Sequence, residues 1–158
     1  MKKRSDYIDW DTYFLAMIEI NAMRSKDPNT QVGAVIVNDL NQIVSTGYNG
    51  LPRGLSDDDF SWSREGEWQN TKYPYVVHAE LNAILSSSSN LRGTILYTSQ
   101  FPCYDCSKNI VQAGIVKIIY SDNKYQGTIE NEVSLKILKS ANIELEFKKP
   151  VKVTIEKE

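Results

Sequence analysis

Residues 94–114 read TILYTSQFPCYDCSKNIVQAG. Residues 94–99 form a strand pattern, Gln100-Phe101-Pro102 a turn, and 103–113 a helix that Gly114 closes. Working back from this unit, Val76 and Val77 lead into a second helical stretch, 78–85, which the serine run 86–89 ends. Working forward, 116–120 is another strand, and 129–141 a helix with Val133, Leu135, Ile137 and Leu138 as its apolar set. Residues 143–147 then alternate like a half-exposed strand. Near the start, Asp9 is an N-cap for a helix carrying Trp10, Tyr13, Phe14, Met17, Ile18 and Asn21, and Asp27-Pro28 ends that run. The unbroken apolar stretch 32–37 is expected to be a strand covered on both faces, with 43–46 returning beside it after a turn at 39–41. The order predicts a three-layer α/β/α domain with a five-stranded mixed sheet. A single domain is expected over 1–158, with its core at about 9–147. The tail 148–158 also alternates, through Val151, Val153 and Ile155, and reads as an edge strand, a subunit contact or a frayed end. Residues 47–69, rich in Gly, Pro, Ser, Asp and Trp, form a loop long enough to be functional or mobile.

The 158 residues suit one well-filled core, and 41% hydrophobic with 24% charged residues is ordinary for a globular chain. The net charge is −2 and the pI about 5.5. Phosphate neutralisation supplies most of the affinity for nucleic acid, so this balance argues against a long polyanionic partner, though not against a single nucleotide. Lys2, Lys3 and Arg4 read as a solvated basic end. No apolar run approaches a membrane span and no secretory leader is visible. A lone C-x-x-C in such a chain points to thiolate chemistry in a reducing compartment, and a cytoplasmic location is expected.

The chain has one histidine and two cysteines, and all three fall in His78-Ala79-Glu80 and Pro102-Cys103-Tyr104-Asp105-Cys106. A catalytic zinc takes three protein ligands and leaves a position for water, which His78, Cys103 and Cys106 can satisfy. Both cysteines sit at a helix start, where the dipole and unpaired N–H groups favour thiolate. Glu80 is not expected to be a ligand; it is the candidate proton carrier. A C-x-x-C alone is more often a structural zinc half-site, a redox pair or two buried cysteines. A structural zinc wants four ligands, and the chain has no other Cys or His. A redox pair leaves His78 and Glu80 without a reason.

The H-x-E and P-C-x-x-C spacing is the signature of zinc-dependent nucleobase deaminases. The match extends further. Arg24-Ser25-Lys26-Asp27-Pro28, Gln31-Val32-Gly33-Ala34, Gly47-Tyr48-Asn49-Gly50-Leu51-Pro52 and 73–84 all resemble the deoxycytidylate deaminase family. So do Phe101-Pro102-Cys103, Gln112-Ala113-Gly114-Ile115, Ser121-Asp122 and Lys124-Tyr125. The resemblance runs from about residue 13 to 147 and implies a cytidine deaminase-like fold. It implies hydrolysis of dCMP to dUMP and ammonia, supplying dUMP for dTTP synthesis in pyrimidine metabolism. It also implies one Zn2+ per subunit, and a homohexamer activated by dCTP with a divalent cation such as Mg2+ and inhibited by dTTP. Were the source viral, the host cytoplasm would be the location.

On the substrate side, the resemblance implies that Asn49 bonds the deoxyribose and that the Ala79 carbonyl accepts from the cytosine amino group. Ser25, Lys26 and Tyr125 are the expected phosphate contacts, with Lys124 and Arg53 in reserve. Arg53 also suits a regulatory triphosphate. Asp57-Asp58-Asp59 reads as a solvated acidic loop, and Trp62 and Trp68 as packing or subunit-contact residues. Competing readings are a dCTP deaminase, a bifunctional dCMP/dCTP enzyme, a nucleic-acid cytidine deaminase and a zinc-stapled binding module.

Overall fold

In the computed structural model, Asp9 caps the first helix as its sequence predicts: its side chain accepts from Thr12 N–H at 2.7 Å. The structure describes residues 1–157; residue 158, the last of the tail, lies outside the described residues. The elements run α1 (Trp10–Ala22), β1 (Gly33–Val37), β2 (Ile43–Tyr48), a 3₁₀ turn (Trp68–Asn70), α2 (Ala79–Ser86), β3 (Ile95–Thr98), α3 (Tyr104–Ala113), β4 (Lys117–Tyr120), α4 (Ile129–Ser140) and β5 (Glu144–Phe147).

The sheet order is β2-β1-β3-β4-β5. β1 is antiparallel to both β2 and β3, while β3, β4 and β5 are mutually parallel neighbours, so the sheet is mixed as expected. β1 is buried along its whole length because both faces are covered. On one face Phe14, Leu15 and Ile18 of α1 pack against Val35, Val37, Tyr97 and Ile119. On the other, Ala79 and Ala83 of α2, Ile110 of α3 and Leu138 of α4 pack against Ala34, Ile36, Leu96 and Ile118. Two glycines permit this approach: a Cβ on Gly33 would stand 1.9 Å from the Ile18 carbonyl oxygen, and one on Gly47 would stand 2.2 Å from that of Ala79.

Of the three readings of the tail, the edge strand is not formed among the described residues. Residues 148–157 carry no regular structure; the Lys148 N–H reaches the Tyr120 carbonyl at 3.0 Å, and Val151 packs against the cluster that holds Phe14, Val35, Tyr97 and Ile119. No helix of the described residues is long and apolar enough to cross a membrane.

The rim at the C-terminal ends of β3 and β4 is stitched closely. Ser99 N–H bonds the Gly33 carbonyl at 3.0 Å, Gly33 N–H bonds Ser99 Oγ at 3.0 Å, and Phe101 N–H bonds the Asp122 carbonyl at 2.7 Å. Open α/β sheets bind their ligands at such a rim.

Candidate metal centre and nucleotide pocket

Both sulfur and imidazole donors arise from helix starts. His78 is the N-cap residue of α2, in extended backbone conformation, and its ring makes no capping bond. Its Nδ1 is therefore available, and it stands 3.3 Å from Cys103 Sγ and 3.4 Å from Cys106 Sγ. Cys103 is the N-cap of α3, and its sulfur accepts the Cys106 N–H at 3.5 Å. Gly114, at φ 82°, closes α3 at its other end. The three donor atoms all lie within 4.8 Å of one another, and both cysteines are free thiols rather than a disulfide.

The charges in this cluster are shared. The Cys103 thiol is pulled down to about 4, first by a hydrogen bond from the Cys106 thiol and then by His78. The Cys106 thiol is pushed up because it donates to Cys103 and is buried. His78 is raised to about 9 by its hydrogen bond to Cys103, helped by the charge of Glu80. A thiolate, a second thiol and an imidazole facing one point are the donor set of zinc, and metal binding there would displace the protons the cluster holds. The donor set fits the ion.

Glu80 sits in the first turn of α2, 4% exposed. Its Oε2 accepts from Cys106 Sγ at 3.7 Å. Burial raises its pKa, which favours a carboxyl group able to hold a proton.

The other expected residues are placed as follows. Asn49 is buried at the end of β2; its side chain accepts Val32 N–H at 2.8 Å and donates to the Thr30 carbonyl at 2.9 Å. The isolated Gly50–Val77 bridge sets Asn49 alongside the segment that leads into His78. Ser25 Oγ donates to the Asn49 carbonyl at 2.9 Å. Lys26 is exposed and ion-paired with Asp57. Tyr125 is 44% exposed, with Lys124 Nζ 5.1 Å from its ring centre. A cleft of about 320 Å³ lies between Asn29, Thr30 and Gln31 on one side and Ser121, Asp122 and Lys124 on the other. It separates the segment after Lys26 from the loop carrying Tyr125. Arg53 is exposed in the long loop.

Ala79 opens α2, and its carbonyl oxygen lies close against Gly47, where an added Cβ would stand 2.2 Å from it and 2.4 Å from Ala83 N. The group Ala79 presents at the helix start is its N–H.

Local sequence reading missed the buried Lys72–Asp27 ion pair. Asp27 was legible only as a helix end, and its partner lies 45 residues away in an irregular segment. Burial alone would raise the Asp27 pKa, but the Lys72 ammonium and the N–H groups of Asn29 and Thr30 outweigh it and lower it. The sign then follows: the pair's stability contribution is present above the ordinary carboxylate range and is lost as pH falls through and below it. An acid-unfolding titration should show Asp27→Asn removing part of the pH dependence below about 4.

A family model described as the cytidine and deoxycytidylate deaminase zinc-binding region matches residues 8–122. The chain belongs to this deaminase family. The human protein named deoxycytidylate deaminase is 52% identical over 131 residues, covering 82% of this chain and 74% of the human one. The mouse deoxycytidylate deaminase is 48% identical over 144 residues, covering 90% and 81%. The crystal structure of the cyanophage S-TIM5 dCMP deaminase in complex with dCMP and dUMP aligns with TM-score 0.71 and 28% identity over 90% of this chain and all of that one. The mixed five-stranded sheet with its four helices is the deaminase fold of these neighbours. The His78, Cys103 and Cys106 cluster answers to the zinc-binding region for which the family is described.

Proposed function

We propose that this protein hydrolyses dCMP to dUMP and ammonia, with one zinc ion per subunit held by His78, Cys103 and Cys106. The observation that carries the reading is the convergence of those three donors within 4.8 Å beside the buried carboxyl of Glu80. The choice of dCMP is supported by the deoxycytidylate deaminases among the relatives and by the phage neighbour crystallised with dCMP and dUMP.

Zinc bound at this site supplies a water whose pKa is brought toward neutrality. Glu80 takes a proton from the attacking water as the O–C4 bond forms and delivers it to ring N3. The same carboxyl then takes the proton of the hydroxyl left on C4 and gives it to the exocyclic amine as the C4–N4 bond breaks. One water is consumed, ammonia leaves, and the oxygen stays on the ring. The Ala79 N–H is available to a ring acceptor. Asn49 serves the deoxyribose, and Ser25, Lys26 and Tyr125 serve the phosphate. The family resemblance adds a homohexamer, activation by dCTP with Mg2+, inhibition by dTTP, and a cytoplasmic role in supplying dUMP for dTTP. The exposed Trp10 and Trp68 side chains, 56% and 67% open, offer apolar area for subunit contact.

A deamination panel of deoxycytidine, dCMP, dCTP and single-stranded oligonucleotide, with dCTP and dTTP as effectors, tests the reading. Turnover should be fastest with dCMP; preference for dCTP or oligonucleotide overturns the substrate assignment. Removing a charged phosphate contact costs about 1.5–3 kcal/mol, or roughly 10- to 100-fold. Lys26→Met is accordingly expected to raise KM for dCMP at least about tenfold and to leave deoxycytidine turnover unchanged. Equal effects on both substrates would remove Lys26 from the phosphate site.

A further inference from the structure

Lys72 and Asp27 are buried to side-chain exposures of 8% and 1%, whereas every other ion pair among the described residues keeps at least one side chain more than a third exposed. A buried ion pair adds little net stability over apolar residues of the same size. What this pair adds is direction. Asp27 also accepts the N–H groups of Asn29 at 2.8 Å and Thr30 at 3.2 Å, so its carboxylate is held from several sides. The Asp27 N–H bonds Ser25 Oγ at 3.3 Å, and that hydroxyl donates to the Asn49 carbonyl at 2.9 Å. The Asn49 amide in turn grips Thr30 and Val32.

The lysine end is tied as tightly. The Lys72 carbonyl accepts Tyr75 N–H at 3.1 Å and Val76 N–H at 3.0 Å. Val77 next exchanges two bonds with Gly50, of 2.8 and 3.1 Å, immediately before His78. The ion pair thus closes a ring. One arc carries Ser25 and Asn49, and the other ends on the metal-ligand histidine.

We propose that Lys72 and Asp27 are positioning residues of the nucleotide pocket, setting the sugar- and phosphate-facing segment at a fixed distance from His78. This rests on the nucleotide reading above. Remote binding energy is converted into rate only when the distant contacts and the reacting carbon are held in register, and small misplacements are costly. Loosening the ring should therefore erode the advantage that a phosphate gives, more than it erodes reaction at the ring itself.

The test is Asp27→Asn with Lys72→Met in one chain. Asn can still accept the Asn29 N–H, no unpaired buried charge is left, and only the bridge is lost. Zinc content and thermal unfolding report the metal site and the fold; kcat/KM is measured for dCMP and for deoxycytidine. The expected result is a full zinc complement and at least a tenfold fall in the dCMP-to-deoxycytidine ratio. A ratio within threefold of the parent protein's, whatever the absolute rates, overturns the proposal and leaves the pair a structural tie. Asp27→Glu is the second variant: it keeps both charges but shifts the pair by one methylene. It is expected to lower the ratio at least threefold, and an unchanged ratio counts against the proposal even if the double variant does not fold. If the parent protein itself shows no preference for dCMP over deoxycytidine, the nucleotide reading fails first, and that outcome is visible without any variant.

Discussion

Glu80→Gln is expected to lower kcat for dCMP by about 10³- to 10⁴-fold while the protein keeps its zinc. A positioned general acid–base contributes up to about 10⁴-fold, and each tenfold is about 1.36 kcal/mol of barrier. The upper part of that range applies because Glu80 is asked to move a proton at two points, to the ring nitrogen and to the departing amine. It sits in the first turn of α2, with its carboxyl 3.7 Å from Cys106 Sγ and almost wholly out of water. The cluster of His78, Cys103 and Cys106 contains no carboxylate of its own among the described residues, and Glu80 reaches it through Cys106 Sγ. Glutamine keeps the shape and a hydrogen-bonding oxygen but cannot cycle a proton. Stability should move the other way. In the metal-stripped chain burial raises the Glu80 pKa, so an ionised carboxylate is unfavourable there, and a neutral amide relieves that cost. Metal analysis, calorimetry and a dCMP assay on one preparation check all three expectations. A Glu80→Gln protein with zinc that turns over within tenfold of its parent would remove Glu80 from the proton path.

What could be read in advance follows the range of the physics involved. Asp9, Cys103 and Gly114 mark helix ends through bonds made within a few residues, and the structure has each of them at a cap. The deaminase cluster was equally legible, because His78, Cys103 and Cys106 are the chain's whole supply of soft donors. Alternation is a weaker signal. Val151, Val153 and Ile155 alternate as an edge strand would, but pairing needs a neighbour with the right register, and 148–157 lacks a ladder partner in this chain. Ala79 is of another kind: the sequence sets it at the start of α2, but which backbone group it offers there depends on helix polarity, which a motif does not carry. The Lys72–Asp27 pair had no local signature at all, since neither an irregular loop nor a 45-residue separation leaves a period in the sequence.

Zinc removal is expected to abolish turnover and to lower the melting temperature together, because the same three side chains serve chemistry and fold. Cys106 is 3% exposed and belongs to the larger core cluster, next to Ala79, Phe101 and Ile110. Its sulfur therefore ties the metal site directly to the packing between α2, α3 and the sheet. A ligand that binds only the folded chain stabilises it by about 4 kcal/mol at a thousandfold excess over its dissociation constant. For a domain of this size each kcal/mol is worth about 2–4 °C, so a chelator should lower the midpoint by roughly 8–16 °C. Cys106→Ser should reproduce both losses without a chelator. A serine hydroxyl is a harder and more basic donor than a thiolate, and it leaves a two-ligand remnant of His78 and Cys103. Added zinc should restore activity and midpoint to the stripped parent protein but not to Cys106→Ser. Tyr104→Ala, at an exposed neighbouring position of α3, should retain its zinc. Set beside Glu80→Gln, these variants separate holding the ion from moving the proton: one loses turnover with zinc in place, the other loses zinc and turnover at once. Full activity in protein that metal analysis finds free of zinc would break that separation and the zinc mechanism with it.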